Sequence, residues 1–435
     1  MMQQLLIGLG AAKEHWIALI GGSSSDEGRD IDIDSNGNVF VVGKTSSDGE
    51  GSDDAFIVKL DDKGAIQWQR TLGGSASDRF EGCVIHSDDI YAVGATYSEG
   101  SGSTSLSANL TVKYNNSGTL QWQKVTGDNR GNDYSISVDI DSSNILRTAG
   151  TIVGGDNTPN IGVLDFDTSG GSTRKTSETV GSNKTDYGSG CATYGGNAYV
   201  CGSYDGGTPA FEAWLGKYNV NGTKQWQRYL STSLSEQPAN HGVATDSSGN
   251  VYMALQFTDG VYPDLAICKY NSSGSIQWQR KITQYSQIYA TAVTTDSSDN
   301  VYVLSYANGV GAGSYDWFIA KWNSSGTIQW QRALGTTAAD YAFGIRIYGD
   351  NMYICGRTSG AGAGSDDIMI AKLPTDGSLT GTYGSFVYQA TSLTEAAGSL
   401  TEGAASLSTS GVGGSHSNGT LTDATTSFTA TVTSF

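Results

Sequence analysis

Proline, basic residues and helical patterns are all scarce in this sequence of 435 residues. Only 5 prolines stand against 59 glycines, and no stretch combines a sustained helical period with helix caps. Glycine, serine, threonine and asparagine supply the residues that turns need. We therefore expect an all-β chain with many short strands joined by turns.

Positive charge is also in short supply. The sequence has 25 lysines and arginines against 43 aspartates and glutamates, which gives a formal net charge of -18. Binding to nucleic acid through a basic field is excluded, because phosphate contacts require clusters of Lys and Arg. The acidity predicts a solvated surface, with cation binding as the functional alternative.

The five cysteines show no spacing typical of a metal site. Most lie in apolar, strand-like runs, although Cys191 and Cys201 flank a Gly-Gly turn and leave a disulfide open as an alternative. No apolar run is long enough to span a membrane. We interpret residues 1–13, which lack the basic start of a signal peptide, as an apolar arm that docks on the body or on a partner.

A short motif recurs through most of the chain. Gln67-Trp68-Gln69-Arg70 is followed by a glycine pair, and most of its copies stand 52 or 54 residues apart. One gap of 104 residues indicates a copy near Arg174 that has lost its tryptophan. The other copies surround Trp16 (a divergent one), Trp122, Trp226, Trp278 and Trp330. A repeat of this length predicts a solenoid or a propeller.

One repeat, residues 28–72, contains four strand-like segments separated by turns. Seven such units across residues 14–373 predict a seven-bladed β-propeller with four antiparallel strands in each blade. The last blade lacks its outer strand, and the segment around Trp16 is in phase to close it. Residues 384–388 are the rival donor for that place. Closure of this kind would remove an exposed sheet edge.

The pattern of a glycine pair, an acidic residue, Asp-Ser-Ser-Gly-Asn-Val-Tyr, Lys-Tyr and Gly-Trp resembles the bacterial beta-propeller repeat family. The resemblance covers about residues 14–373 and implies the fold but no single activity. A propeller with Ile-Gln-Trp-Gln-Arg repeats and a tail rich in Ser, Leu and Thr is also similar to uncharacterised virion structural proteins of phages that infect aquatic bacteria.

The tail, residues 374–435, is rich in Ser, Thr, Gly and Ala and has an apolar residue every seven positions. One apolar residue in seven cannot form a coiled-coil seam. A disordered linker is one interpretation. We favour an extended arm whose apolar residues bind a partner in an assembly. Those residues are Leu379, Phe386, Leu393, Leu400, Leu407, Leu421, Phe428 and Phe435, with Gly414 out of pattern.

An acidic residue follows most of the tryptophan positions by about ten residues. These carboxylates, Asp26, Asp78, Asp133, Asp186, Glu236 and Asp340, are expected to ring the mouth of the central channel. They either cap their own turns or bind a cation or polar ligand, calcium being the candidate. The stretch 30–38 resembles a calcium loop but lacks the final glutamate.

Catalytic motifs are absent from the sequence, so we predict a protein that is not an enzyme. The tryptophans are expected to pack between blades, leaving Tyr97 or Trp317 as candidates for stacking on a sugar.

The leading hypothesis is a structural or binding component of a phage virion. Its termini would anchor it to other structural proteins, and loops such as 47–53, 98–107 and 309–315 would contact the host surface or neighbouring subunits. The alternatives are a carbohydrate-binding propeller, secreted or on a cell surface, and an enzyme that uses the acidic channel mouth.

Overall fold

The structure is a computed structural model that describes residues 15–435 apart from short breaks. The breaks are 101–104, 128–129, 155–156, 172–177, 182–183, 206–210, 232–234, 259–260, 284–285, 399, 405–407, 412–414, 419–420, 427–428 and 435. Within these limits the chain forms strands and turns but no helix. The described residues accordingly include no helix with the length and apolarity needed to cross a membrane.

The body of the chain is built from antiparallel modules of four strands, which confirms the predicted all-β class and its repeating sheets. Module 1 comprises β2 (Asp26–Ile33), β3 (Val39–Thr45), β4 (Asp54–Leu60) and β5 (Ile66–Gly73). Module 2 comprises β6 (Asp78–His86), β7 (Asp89–Thr96), β8 (Ala108–Tyr114) and β9 (Leu120–Gly127). Module 3 comprises β10 (Tyr134–Ile140), β11 (Ile145–Val153), β12 (Pro159–Asp167) and β13 (Glu178–Gly181). Each runs as an antiparallel meander.

The remaining modules repeat this pattern. Module 4 comprises β14 (Tyr187–Tyr194), β15 (Asn197–Asp205), β16 (Phe211–Tyr218) and β17 (Lys224–Ser231). Module 5 comprises β18 (Glu236–Thr245), β19 (Val251–Thr258), β20 (Pro263–Tyr270) and β21 (Ile276–Thr283). Module 6 comprises β22 (Ile288–Thr295), β23 (Val301–Asn308), β24 (Tyr315–Trp322) and β25 (Ile328–Gly335). Module 7 joins β26 (Asp340–Tyr348), β27 (Asn351–Thr358) and β28 (Asp367–Pro374) to β1 (Trp16–Gly21). The structure thus places Trp16 opposite Lys372 in the outer strand of module 7.

Local turn chemistry explains why each module folds back on itself. In the turn after β2, Asp34 Oδ1 accepts hydrogen bonds from the backbone N–H groups of Asn36 and Asn38, both at 2.9 Å. Gly37 in the same turn has φ +81°, a conformation that glycine adopts without a steric penalty. Asp61 closes the turn after β4 in the same way, through Lys63 and Ala65. These short Asp- and Gly-containing turns set the antiparallel register of the strands.

The first strands of successive modules contact one another around a ring. β2 contacts β6, β6 contacts β10, and the series continues through β14, β18, β22 and β26 back to β2. Side chains bridge neighbouring first strands, since Asp32 Oδ2 accepts the N–H of Ile85 at 2.7 Å and Asp139 Oδ2 that of Thr193 at 2.7 Å. Module 1 and module 7 are therefore neighbours in space although they lie at opposite ends of the chain.

In the six modules that have it, the tryptophan of the motif forms a hydrogen bond with the next module around the ring. Trp68 Nε1 donates to the carbonyl of Asn116 at 2.9 Å, and Arg70 Nε donates to the carbonyl of Gly118 at 3.0 Å. A Cβ atom on Gly118 would lie 2.6 Å from the indole, so the turn must carry glycine there. Equivalent pairs join Trp226 to Ser272, Trp278 to Ser324 and Trp330 to Thr375.

The C-terminal tail forms strands that add to the outer edges of the modules. After a short hairpin of β29 (Gly381–Tyr383) and β30 (Phe386–Ala390), the strands are β31 (Thr394–Ala397), β32 (Thr401–Ala404), β33 (Ser408–Gly411), β34 (Ser415–Asn418), β35 (Thr422–Thr425) and β36 (Thr429–Ser434). From β30 to β36 they pair in turn with β25, β21, β17, β13, β9, β5 and β1. The tail therefore travels around the ring from module 6 to module 1 and ends on module 7.

The second glutamine of the repeated motif holds this tail. Gln331 Oε1 accepts the N–H of Leu393 at 2.8 Å, and Gln331 Nε2 donates to the carbonyl of Leu393 at 3.0 Å. Gln279 makes the same two bonds with Leu400, both at 3.1 Å. A primary amide presents one donor and one acceptor side by side, so it matches a peptide group that no strand partner satisfies.

The apolar residues of the tail differ from the expected partner-binding set. Phe386, Leu400 and Leu421 are buried in the cores of the chain's own modules, and Leu393 packs against another. Leu379, with 39% exposure, remains on the surface. The tail is thus revised from a free arm to part of the fold, because unpaired outer strands bind the nearest available strand. Leu407, Phe428 and Phe435 lie outside the described residues.

Three smaller expectations can also be compared with the structure. Residues 384–388, the rival for the outer strand of module 7, pair instead with β25. Cys191 and Cys201 are both buried free thiols, opposite Val200 and Gly190 rather than each other. The expected apolar arm, residues 1–13, lies outside the described residues.

We predict that Leu400→Ala lowers the free energy of unfolding by about 2–4 kcal/mol, because it leaves a cavity between modules 4 and 5. Leu379→Ala is the matched control and should change it by less than about 0.5 kcal/mol, since Leu379 is partly exposed. Denaturant unfolding of the full chain, followed by tryptophan fluorescence, measures both. Equal effects of the two changes would show that the tail is not packed into the core.

We also predict that Gln331→Glu lowers the free energy of unfolding by about 1–3 kcal/mol, because a carboxylate cannot donate to the carbonyl of Leu393. The exposed Gln329, whose Nε2 bonds only to the nearby carbonyl of Thr327, provides the control Gln329→Glu. Limited proteolysis should then cleave the tail earlier in Gln331→Glu than in the control. A tail equally resistant in both variants would contradict the role assigned to Gln331.

Candidate functional site

The six predicted mouth carboxylates are buried, with exposures of 3% or less. Asp26 Oδ2 accepts the N–H of Gly22 and the hydroxyl of Ser47, both at 2.8 Å. Asp78 binds Gly74 N–H at 2.9 Å in the same manner. Asp340 accepts the N–H of Thr336 in its own loop, whereas Asp133 and Asp186 accept those of Val153 and Asp205, the last residues of the neighbouring second strands. Asp26, Asp78 and Asp340 thus have the geometry of turn caps, the simpler of the two interpretations.

Three of these mouth carboxylates each have a second buried carboxylate beside them. Asp316 and Asp340 converge on Gly335, where a Cβ atom would lie 2.0 Å from one carboxylate and 2.9 Å from the other. Burial raises the pKa of Asp316 to about 6, with a further contribution from the charge of Asp340. Asp54 stands in the same way beside Asp78, and Asp367 beside Asp26, and burial raises the pKa of both Asp54 and Asp367.

The stretch 30–38, which resembles a calcium loop, uses its aspartates for hydrogen bonds within and between the sheets. Asp30 Oδ2 accepts the N–H of Cys83, and Asp34 closes its own turn. Nowhere among the described residues do three or more His, Cys, Asp or Glu side chains gather in a group able to hold a metal ion.

A cavity of about 280 Å³ occupies the centre of the ring, and every first strand contributes to its wall. Its lining includes the acidic side chains of Asp32 and Asp139, the imidazole of His241 and the guanidinium of Arg346. Burial raises the pKa of Asp32 to about 6, although the guanidinium of Arg346 opposes this shift. Burial also raises the pKa of Asp139. The cavity is therefore polar, and both of its carboxylates have raised pKa values.

His241 reaches this centre because β18 carries a large bulge. Four residues, 239–242, stand opposite a single residue of β19, and His241 lies beside Ala292 of β22 in parallel register. His241 Nδ1 is 3.9 Å from Asp30 Oδ2. The repeat pattern of the sequence does not predict this position of His241. One spacing in the sequence signals the bulge. Glu236 stands ten residues before the turn residue Asp246, whereas Asp26 stands eight residues before the equivalent Asp34.

Alternating charges cross the loop-bearing end of the ring from module 7 to module 2. Arg357 lies 2.9 Å from Glu27, Glu27 lies 2.5 Å from Arg29, and Arg79 lies 2.6 Å from Glu81. Burial would raise the pKa of Glu81, but the charges of Arg29 and Arg79 hold it below its usual range. These neutralising contacts give that side of the mouth a fixed polar surface.

The mouth beside modules 6 and 7 is aromatic. We call the side chains of Tyr289, Tyr306, Tyr315 and Tyr341 the tyrosine cluster. Ring centroids are 5.0 Å apart for Tyr289–Tyr306 and Tyr306–Tyr341 and 5.5 Å apart for Tyr315–Tyr341. All four rings are half-buried, and Arg357 stacks over Tyr341 at 4.6 Å. The two residues expected from the sequence to stack on a sugar, Tyr97 and Trp317, do not belong to this cluster, and Trp317 is fully buried.

Residues 15–50 match the sequence model of the beta-propeller repeat family, which supports propeller repeats in this chain. No curated protein sequence matches. Among solved structures, the chain is similar to polysaccharide lyase Uly1, at TM-score 0.50 and 9% identity over 82% of this chain and 91% of that one. It is also similar to a PL25 ulvan lyase (TM-score 0.47, 12% identity, 82% and 96% covered) and to Drosophila plexin A bound to semaphorin 1b (0.39, 7%, 81% and 88%). At such identities the likeness to Uly1 concerns the fold alone.

We predict that the chain is more stable near pH 5 than near pH 7.5 through its buried carboxylates. The folded-state pKa of Asp316, about 6, lies above the ordinary value of 3.8. Its stabilising contribution is therefore complete at low pH and is lost as the pH rises through 6. Asp316→Asn should reduce this pH dependence, whereas Asp61→Asn, at an exposed turn, should leave it unchanged. Denaturation midpoints across pH 4.5–8 provide the measurement, and an unchanged profile in Asp316→Asn would contradict the assignment.

Proposed function

We propose that this chain is a seven-bladed β-propeller that acts, without catalysis, as a structural and binding component of a phage particle. The seven modules are its blades, and β1 from the N-terminus completes the last one. The observation that carries the proposal is the tail, which adds a fifth strand to the outer edge of each module. The outermost strands are then tail strands of only three to six residues, and a component of an assembly benefits from such short edges, because long open edges recruit further chains without control.

Covered edges leave the two faces of the disc as the surfaces for partners. The face with the short turns is tied together by contacts between modules, such as the Tyr348 hydroxyl bonded to the carbonyl of Ser35 at 2.9 Å. The face with the longer loops carries the two most exposed of the large apolar side chains, Val261 (84% exposed) and Tyr262 (44%), which are adjacent in the chain. Exposed apolar and aromatic side chains are favoured at protein interfaces. We assign the contact with the host surface or a neighbouring subunit to this loop-bearing face.

The non-enzymatic assignment draws support from the carboxylates once considered for catalysis. Asp26, Asp78 and Asp340 accept backbone hydrogen bonds of their own loops. His241 is 7% exposed and lies beside Asp30 and the centre of the ring rather than at an open cleft. Neither arrangement presents a nucleophile or a base to a large substrate.

We expect the chain to be present in gradient-purified phage particles when they are probed with an antibody raised against it. Val261→Ser with Tyr262→Ser should enter particles normally but lower adsorption of the particles to host cells at least about tenfold, as loss of interface anchors does. Tyr194→Ser, on the opposite face, is the matched control and should adsorb as the wild type does. Absence of the chain from purified particles would refute the particle role. Equal adsorption of both variants would refute the assignment of the loop-bearing face.

A further inference from the structure

We propose that the tyrosine cluster is a binding platform for a neutral saccharide, with pyranose rings whose hydroxyl groups are equatorial. This inference rests on the binding role proposed above and names the ligand class of the loop-bearing face. The cluster lies where β22 and β26 begin, with Tyr289 opposite Tyr306 in one module and Tyr341 opposite Arg357 in the next. The platform therefore spans the junction of modules 6 and 7.

The spacing of the rings determines what they can bind. Centroids 5.0–6.3 Å apart place the rings in direct mutual contact, some stacked and some edge to face. A cation held between aromatic faces would need a gap, because it sits within about 6 Å of each ring centroid with its own radius between them. The closed packing thus excludes a cage for an ammonium group. It leaves a continuous, half-buried surface of phenol rings.

The polar edge of this platform is available for hydrogen bonds. No hydrogen bond joins the hydroxyls of Tyr289, Tyr306 or Tyr341 to any residue that the structure describes, whereas the hydroxyl of Tyr315 bonds to Gln287. A half-buried phenol normally bonds water or a ligand through its hydroxyl. Flat apolar rings with free hydroxyls along their edge match a sugar, whose axial C–H groups form an apolar face and whose equatorial hydroxyls form a polar rim.

Charge decides between neutral and anionic saccharides. Arg357, which stacks on Tyr341, lies 2.9 Å from Glu27 and 3.0 Å from Asp366, so its charge is already balanced. The chain as a whole carries -18. A polyanion would be repelled by this field without a free cation to hold it. The observations therefore favour a neutral glycan of a cell surface.

Affinity electrophoresis of the full chain provides the test, in native gels that contain hydroxyethyl cellulose, xyloglucan, mixed-linkage β-glucan or alginate. We expect at least one neutral polysaccharide to retard the wild type. Tyr289→Ala with Tyr341→Ala should weaken that binding at least about tenfold, and Tyr→Phe at both positions two- to fivefold, because the rings remain but the hydroxyls are lost. Tyr194→Ala, which removes an exposed tyrosine on the opposite face, should bind as the wild type does.

Retardation by none of the neutral polysaccharides, or by alginate alone, would overturn the proposal, as would unchanged binding in the double alanine variant. Unfolding midpoints show whether that variant folds. If it does not, the double phenylalanine variant decides, since weakened binding supports the platform and unchanged binding overturns it. The particle assay is independent of this one. A chain that binds glycan but is absent from particles would keep the site and lose only the virion role.

Discussion

The outer edge of every sheet is the constraint on which this structure depends. Each module ends in a strand whose N–H and C=O groups face outward, and unpaired edges of this kind attract other chains. A single tail satisfies the whole ring by adding one short strand to each module in turn. The same segment therefore packs into the body and shortens its exposed edges, since the outermost described strand of each sheet is a tail strand of only three to six residues. The last tail strand covers β1, which is itself the strand that completes module 7.

Two sequence periods that look unrelated meet in this interaction. The body repeats about every 52 residues and the tail every seven, yet one repeat of each kind corresponds to one module. Among the described residues, the second glutamine of three motifs binds the backbone of one apolar tail residue: Gln331 binds Leu393, Gln279 binds Leu400 and Gln123 binds Leu421. In the sequence, the module that lacks the motif, near Arg174, pairs with the tail strand that precedes Gly414, the one break in the heptad.

The candidate site shows a different relation between pattern and chemistry. The acidic residues repeated in nearly every module are buried, and five of them accept backbone hydrogen bonds of their own or the adjoining segment, as expected of residues that serve a repeated fold. The distinctive chemistry comes from departures from the repeat: the bulge that carries His241 to the centre, Arg346 in a single first strand, and tyrosines gathered in modules 6 and 7. A repeat protein acquires its specific surfaces where its copies differ, because identical copies offer the same surface in every direction.

The sequence alone determined the strand count of a repeat, its turns and the place of Trp16, because these follow from short-range periodicity and from local backbone chemistry. It could not determine where the tail goes, since a seven-residue period has no partner until the outer strands stand side by side. It also could not reveal the cluster of Tyr289, Tyr306, Tyr315 and Tyr341, residues up to 52 positions apart. Only closure of the ring brings the first strands of modules 6 and 7 together, and side-chain contacts between modules exist only after that closure.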